Sequence, residues 1–327
     1  MKIAISCEST CDLSRKLKEQ YDIKTVPFGV LLGDDLHYDG VDVNPSEIFN
    51  YVIKTGILPK TSAVNEFQYE EHFSKLLKEY DCVIHISIAR QISSAIDNAR
   101  KVAEKMKNVY IIDSLSLSTG IGLQAIYARE LANQGLGVEE IIQKVYDRSN
   151  FVQASFVVNT LDYLYKGGRC SGLSHKLGKA LKLKPQIIVD TAQFGAMVPG
   201  KKYLGKDEKV IKAYCADTIK LYPNMCKDHV FITHSQADEK MVKEAARALV
   251  EFGVPHDNIH ITTAGATITS HCGPKTLGIL YYNDANVSEK TKEQLKKERK
   301  AAKEKRKAEK KQKEVELKKE KKQKQSK

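Results

Sequence analysis

"CVIHISIARQISSAIDNARKVAEKMKNVYIIDS", residues 82–114, decides the fold class. Residues 82–88 are a strand-like apolar run, 94–106 carry apolar side chains at helical spacing, and 109–114 return to a short apolar run. The same alternation extends outward in both directions. Strand-like runs recur at 2–6, 25–32, 153–158, 186–190, 229–235 and 258–265, and helical spacing recurs at 67–80, 122–134, 210–222 and 239–252. Strand, helix, strand in repeated alternation predicts an α/β fold with a largely parallel sheet. The first half reads as one doubly wound unit, and "YKGGRCSG" and "LKPQIIVD" open a second α/β region with a different rhythm. The expected division is a first domain over 1–155, a second over 156–284, and an appended segment over 285–327.

Charge separates that last segment from the body. The chain holds 53 Lys/Arg and 41 Asp/Glu; residues 285–327 account for 19 and 8 of them, which leaves 34 and 33 before residue 285. The body is therefore close to neutral, and the pI near 9.1 belongs to the tail. Interleaved Glu and Lys without aromatic, glycine or proline residues predict a solvated segment, partly helical and partly disordered. Two attractions suit it, to anionic lipid headgroups or to nucleic acid, and the lack of base-stacking aromatics counts against the second. Seven cysteines without a CxxC pair, and a start too short in apolar residues for a signal peptide, point to a reducing cytoplasm. No segment approaches the roughly 20 apolar residues of a membrane span.

In open α/β sheets, ligands sit beyond the carboxyl ends of the strands. Three hydroxyl-rich segments occupy such places: "SCESTCDL" (6–13), "KTSAVNEF" (60–67) and "ARQISSA" (89–95). Ser, Thr and Asp there are also ordinary helix caps, so at least one of Thr61, Ser62, Ser93 and Ser94 is expected to do nothing else. "SHCGPKTLGI" (270–279) pins His271 before a turn that Gly273 and Pro274 set, followed by a strand in which Gly278 permits close packing. A ligand-binding histidine and a hydrogen-bonded structural one both fit. Arg169 follows a Gly167-Gly168 helix end, where it is either a solvated charge or an anion-binding group. Dinucleotide, P-loop, GxSxG and HExxH motifs are absent. Cys7 and Cys11 have no second ligand pair to answer them, and the turn and strand signals around His256 and His260 argue against a helical metal face, so no metal or cofactor is expected. His234 reads as a loop or sheet-edge residue.

Five ordered segments resemble the DegV family. "CESTCDL" (7–13) is similar to its opening Asp-Ser-Thr-x-Asp-Leu with Glu8 at the aspartate position, and "YDGVDV" (38–43) to its second segment. "PKTSAVNEF" (59–67) is similar to the third, with Ala63-Val64 where Gln-Pro is usual. "LDYLYKGGRCSG" (161–172) resembles Leu-x-Tyr-Leu-x-x-Gly-Gly-Arg, and "HCGPKTLGI" (271–279) matches His-x-Gly-Pro-Gly-x-x-Gly except at Lys275. One segment departs: Ala89-Arg90-Gln91 stand where the family carries Ser-Gly-Thr, which displaces the hydroxyls to Ser93 and Ser94.

The resemblance implies a non-catalytic, cytoplasmic bacterial protein of two α/β domains that holds a long-chain fatty acid in an apolar tunnel between them. It implies a partner, the catalytic subunit of an ATP-dependent fatty acid kinase, which converts the carboxylate to an acyl phosphate for phospholipid metabolism. Thr61, Ser62, Ser93 and Ser94 would supply hydroxyls to the carboxylate, and Arg169 and His271 charge-assisted hydrogen bonds. Gly167, Gly168, Gly273 and Pro274 would support them. An anionic membrane surface would be met through residues 286–327. The competing reading is an α/β enzyme on a small phosphorylated or carboxylated metabolite, with Ser9, Thr10, Arg169 and His271 as its anion site.

Overall fold

The computed structural model describes residues 1–169 and 183–286. The first half of the chain runs β1 (Ile3–Glu8), α1 (Arg15–Gln20), β2 (Ile23–Val26), β3 (Gly29–Leu32), β4 (Asp35–Tyr38), α2 (Pro45–Thr55) and β5 (Lys60–Ser62). It continues with α3 (Glu66–Leu76), β6 (Cys82–Ser87), α4 (Ala95–Ala103), β7 (Val109–Asp113), α5 (Thr119–Asn133) and α6 (Val138–Arg148). The second half holds β8 (Val152–Val157), α7 (Asp162–Lys166), β9 (Leu183–Asp190), β10 (Ala196–Leu204) and α8 (Asp207–Leu221). It ends with β11 (Val230–Ser235), α9 (Glu239–Glu251), β12 (Ile259–Thr263), α10 (Ala266–Cys272) and β13 (Thr276–Tyr282).

The opening stretch forms β6, α4 and β7. All six residues of β6 are buried, which is why the run shows no alternation. Strands β2-β1-β6-β7 make one all-parallel sheet. α4, α5 and α6 pack on it, burying Ile96, Ala99, Ile121 and Ile141 completely. The second sheet, β10-β9-β8-β13-β11-β12, is mostly antiparallel, with β11–β12 its parallel pair. α8 and α9 pack against each other and against this sheet, with Tyr214, Cys215, Ala245 and Leu249 fully buried there.

Two features of the chain differ from their sequence reading. The apolar run 25–32 is not one strand: it breaks at Pro27-Phe28 into β2, which stays in the parallel sheet, and β3, which joins a small antiparallel sheet β4-β3-β5. Proline fixes φ and offers no N–H to a ladder, so the chain leaves one sheet there and enters another. The expected boundary between 155 and 156 falls inside β8, whose six residues pair with β13 in continuous register from Val152↔Tyr282 to Val157↔Leu277. Residues Met1–Ala285 form one compact unit. The expectation of a solvated tail falls on residues 287–327, outside the described residues. Among the described residues no helix is long and apolar enough to cross a membrane.

Candidate ligand-binding site

A cavity lies where the chain leaves the carboxyl ends of β6 and β7, closed on its other sides by the second sheet, α7 and α10. Counting the solvent at its open mouth, the space between atoms there is about 760 Å³. Ile88 and Leu117, just beyond β6 and β7, give one wall; Phe156, Met197 and Leu280 from the second sheet give another. These walls are aliphatic and aromatic, and an apolar chain placed against them leaves water along its length.

Four of the polar side chains expected from sequence line it: Thr61, Ser93, Arg169 and His271. Thr61 Oγ1 and His271 Nε2 share a hydrogen bond of 2.8 Å. The Arg169 Nη1 donates to the Gly167 carbonyl at 2.6 Å and Nε to the Ile92 carbonyl at 3.4 Å, which fixes the guanidinium beside the imidazole. Gly168 takes a φ of 72°, the left-handed turn that swings Arg169 back over the end of α7. Gly167 matters for another reason: a Cβ there would stand 2.3 Å from His271 Nδ1. The glycine is the floor on which the imidazole lies.

His271 is not the charged donor expected from sequence. Burial, and next the charge of Arg169, push its pKa down to about 4, so the ring is neutral near pH 7 and Arg169 is the cation of the cluster. In ligand-free protein the His271 ring should titrate near pH 4 by NMR, against about 6.5 for an ordinary histidine. A folded-state value below the unfolded one costs stability as pH falls from about 6.5 towards 4. A midpoint above 6 would show that the imidazole is solvated rather than seated.

The remaining predicted positions lie elsewhere. Ser62 follows Thr61 in a strand, so their side chains leave opposite faces; Ser62 is exposed and outside the lining. Ser94 is exposed at the start of α4 and makes no capping bond, whereas the Ser93 hydroxyl accepts from the Ala95 N–H at 3.2 Å while lining the cavity. Gly273, with φ 74°, ends α10, and a Cβ there would lie 2.7 Å from the Tyr163 ring; Pro274 completes that turn. The alternative anion set does not assemble: Ser9 and Thr10 lie outside the lining. The Ser9 hydroxyl instead bonds Asp39 Oδ2 and the Phe28 N–H, each at 3.1 Å.

The first two motif segments turn out to build the support for α10. Asp12 Oδ1 accepts the Gly265 N–H at 2.7 Å; Asp39 accepts the Ala266 N–H at 2.7 Å and the Thr267 N–H at 3.1 Å. Two buried aspartate side chains thus satisfy the free amides at the start of the helix that carries His271. Glu8 is fully buried and holds the other wall: its carboxylate accepts from Tyr69 Oη (2.7 Å), Ser87 Oγ (2.5 Å), the Ile88 N–H (3.0 Å) and lies 3.2 Å from His85 Nε2.

The departure at Ala89-Arg90-Gln91 has a structural counterpart. Arg90 Nε lies 3.3 Å from Asp113 Oδ2, and its guanidinium sits 3.9 Å over the Phe194 ring at the tip of the β9–β10 hairpin. Gly195 follows with φ 81°, and a Cβ there would stand 2.3 Å from the Ala89 methyl. The segment is closed against the second sheet rather than offering hydroxyls to the cavity. His234, read from sequence as a loop or edge residue, lies on β11 between β13 and β12 and lines the cavity. His256 is exposed, and His260 on β12 stacks on His229 with a 2.9 Å hydrogen bond. Cys7 and Cys11 are buried free thiols, and no group of three metal-ligating side chains forms among the described residues.

A mixed α/β fold around an apolar cavity with a small polar cluster is the form that small-molecule pockets take. Residues 2–284 match the family model described as an uncharacterised protein of the DegV family, and the chain belongs to that family. A Thermotoga maritima protein named as a fatty acid-binding protein is 30% identical over 285 residues, covering 85% of this chain and 96% of that one. The solved structure of a fatty-acid-binding DegV family protein from Thermus thermophilus superposes with a TM-score of 0.79 at 25% identity, covering 86% and 99% of the two chains. DegV of Bacillus subtilis, described as a fatty acid binding protein, gives 0.73 at 25% identity, again over 86% and 99%.

Proposed function

We propose that this protein binds a long-chain fatty acid in the cavity, with its carboxylate against Thr61, Ser93, Arg169 and His271, and presents it to a fatty acid kinase. The observation that carries the reading is the meeting of one cation, Arg169, with the Thr61–His271 pair at the edge of an apolar cavity. An ionised head needs donors where it leaves water; a methylene chain needs none. At about 0.8 kcal/mol per methylene, a chain of about 14 methylenes gains on the order of 11 kcal/mol on burial. The protein itself is a carrier with no catalytic residue. In the kinase step a carboxylate oxygen attacks the γ-phosphorus of ATP, ADP leaves, and the acyl phosphate results. Residues 286–327 would bring the carrier to an anionic membrane surface. The similarity to proteins named for fatty acid binding supports the ligand class.

Mass spectrometry of an organic extract from purified full-length protein tests the reading. Near-stoichiometric fatty acid is expected from the wild type and several-fold less from His271→Ala and Arg169→Ala. An extract without lipid, together with no uptake of added fatty acid, would overturn it. Transfer of ³²P from ATP to the bound acid by a kinase preparation, absent with free acid alone, checks the presentation step.

A further inference from the structure

The cavity lining also carries polar groups that the carboxylate cluster does not use. Ser118, Thr233, Ser235 and Thr276 are satisfied within the protein: Ser118 Oγ donates to Asp12, Thr233 shares bonds with Thr119 and Thr262, Ser235 with Thr269, and Thr276 donates to the Cys272 carbonyl. Two atoms of the lining are not. Thr267 Oγ1 and His234 Nδ1 are buried and have no hydrogen-bond partner among the described residues.

Their placement makes this more than a packing accident. Thr267 is only 4% exposed, in a short helix whose other hydroxyls are all engaged: Thr269 bonds the Ala264 carbonyl and Ser270 the Ala266 carbonyl. Thr267 stands four residues before His271, hence on the same face of α10 and about 6 Å along the helix axis from it, on the more buried side. His234 faces the same cavity from β11, adjoining α10 through the Ala264 N–H bond to its carbonyl. A hydroxyl and a neutral imidazole nitrogen offer both a donor and an acceptor without net charge. That pair matches a neutral polar group of a ligand, such as a hydroxyl or a carbonyl, and gives a methylene nothing.

We propose that Thr267 and His234 form a second polar subsite, and that the preferred ligand is an oxygenated acyl chain carrying a hydroxyl or oxo group in its carboxyl-proximal part. The inference rests on the fatty-acid reading and deepens it. Buried polar atoms left without a partner penalise an unsubstituted chain, and a ligand oxygen that bonds to them removes that penalty.

Competition against a fluorescent fatty acid on the full-length protein tests it, with stearic acid and its monohydroxy isomers bearing the hydroxyl near the carboxylate, at mid-chain, or near the methyl end. The isomer hydroxylated near the carboxylate is expected to bind about tenfold tighter than stearic acid. Thr267→Val should abolish that gain while leaving stearic acid bound as well or better, Thr267→Ser should restore it, and His234→Phe should reduce it. Stearic acid binding as tightly as every isomer overturns the subsite and leaves the fatty-acid reading standing, as does a gain that survives Thr267→Val. Failure of all the acids, stearic included, overturns the fatty-acid reading itself.

Discussion

Replacing Glu8 by alanine should destabilise the protein by about 3–5 kcal/mol, the cost of removing a buried carboxylate and leaving its hydrogen-bond donors unpaired. Glu8 is fully buried, and Tyr69, Ser87, His85 and the Ile88 amide all lose their acceptor at once. Urea unfolding at pH 7 measures the effect, and a loss below 1 kcal/mol would mean that water replaces the carboxylate. Burial by itself would raise the Glu8 pKa, but the attraction of His85 and the bonds from His85, Ser87 and Tyr69 outweigh it and hold it below the usual carboxylate value of 4.5. A lowered folded-state value gives stability that is present above about pH 4.5 and disappears as pH falls through it. The gap between wild type and variant should therefore narrow in acid. Glu8→Asp should be intermediate: a carboxylate one methylene shorter cannot span both the Tyr69–Ser87 side and the Ile88 amide. Because Ile88 lines the cavity, acyl-chain affinity should fall along with stability.

Gly167→Ala should cost at least tenfold in fatty acid affinity while leaving the fold intact. The new methyl would stand 2.3 Å from His271 Nδ1 and 2.9 Å from the Tyr163 carbonyl, closer than atoms approach. Rotation of the imidazole relieves the first clash, and that breaks the 2.8 Å bond to Thr61 and separates the ring from Arg169; the second is with backbone and shifts the end of α7. Gly167 has an ordinary right-handed backbone, so alanine adds no strain in φ. Its effect would fall on the site and the end of α7, without the backbone strain of a change at Gly168, where φ is 72°. Competition binding and thermal unfolding on the same preparation separate the two: affinity lost with the unfolding midpoint held within a few degrees. A variant that binds like wild type would show that His271 does not bear on the carboxylate.

How far these residues were legible depends on the kind of signal each carries. The parallel sheet was plain, because strands buried on both faces must be apolar throughout, as "CVIHISI" is. β4, β5 and β10 were not, since β4 and β10 are short of buried residues and β5 has three residues in all, so alternation hardly registers. α2 escaped although its start carries Asn44 and Glu47 in a reciprocal capping box with Pro45 at the first turn, a signal that the sequence held and that locates the helix once looked for. Within the site, Thr61, Arg169 and His271 were reachable from motif order. Asp12 and Asp39 were quoted within motifs but their task was not, because the amides they bind lie more than 200 residues further on. Thr267 and His234 gave no signal: a threonine in a helix and a histidine in a strand are unremarkable until their surroundings are known.

The sequence by itself determined the element order, the neutral body with its basic appendage, and the set of polar residues from which a carboxylate site can be drawn. Periodicity and turn chemistry act over a few residues, and those are written locally. Only the tertiary structure decided which hydroxyl of each pair faces inward, that His271 is neutral, and that two aspartates hold the helix beneath it. Those properties come from what is packed around a group, in low dielectric and at distances of about 3 Å, between residues that the chain keeps far apart.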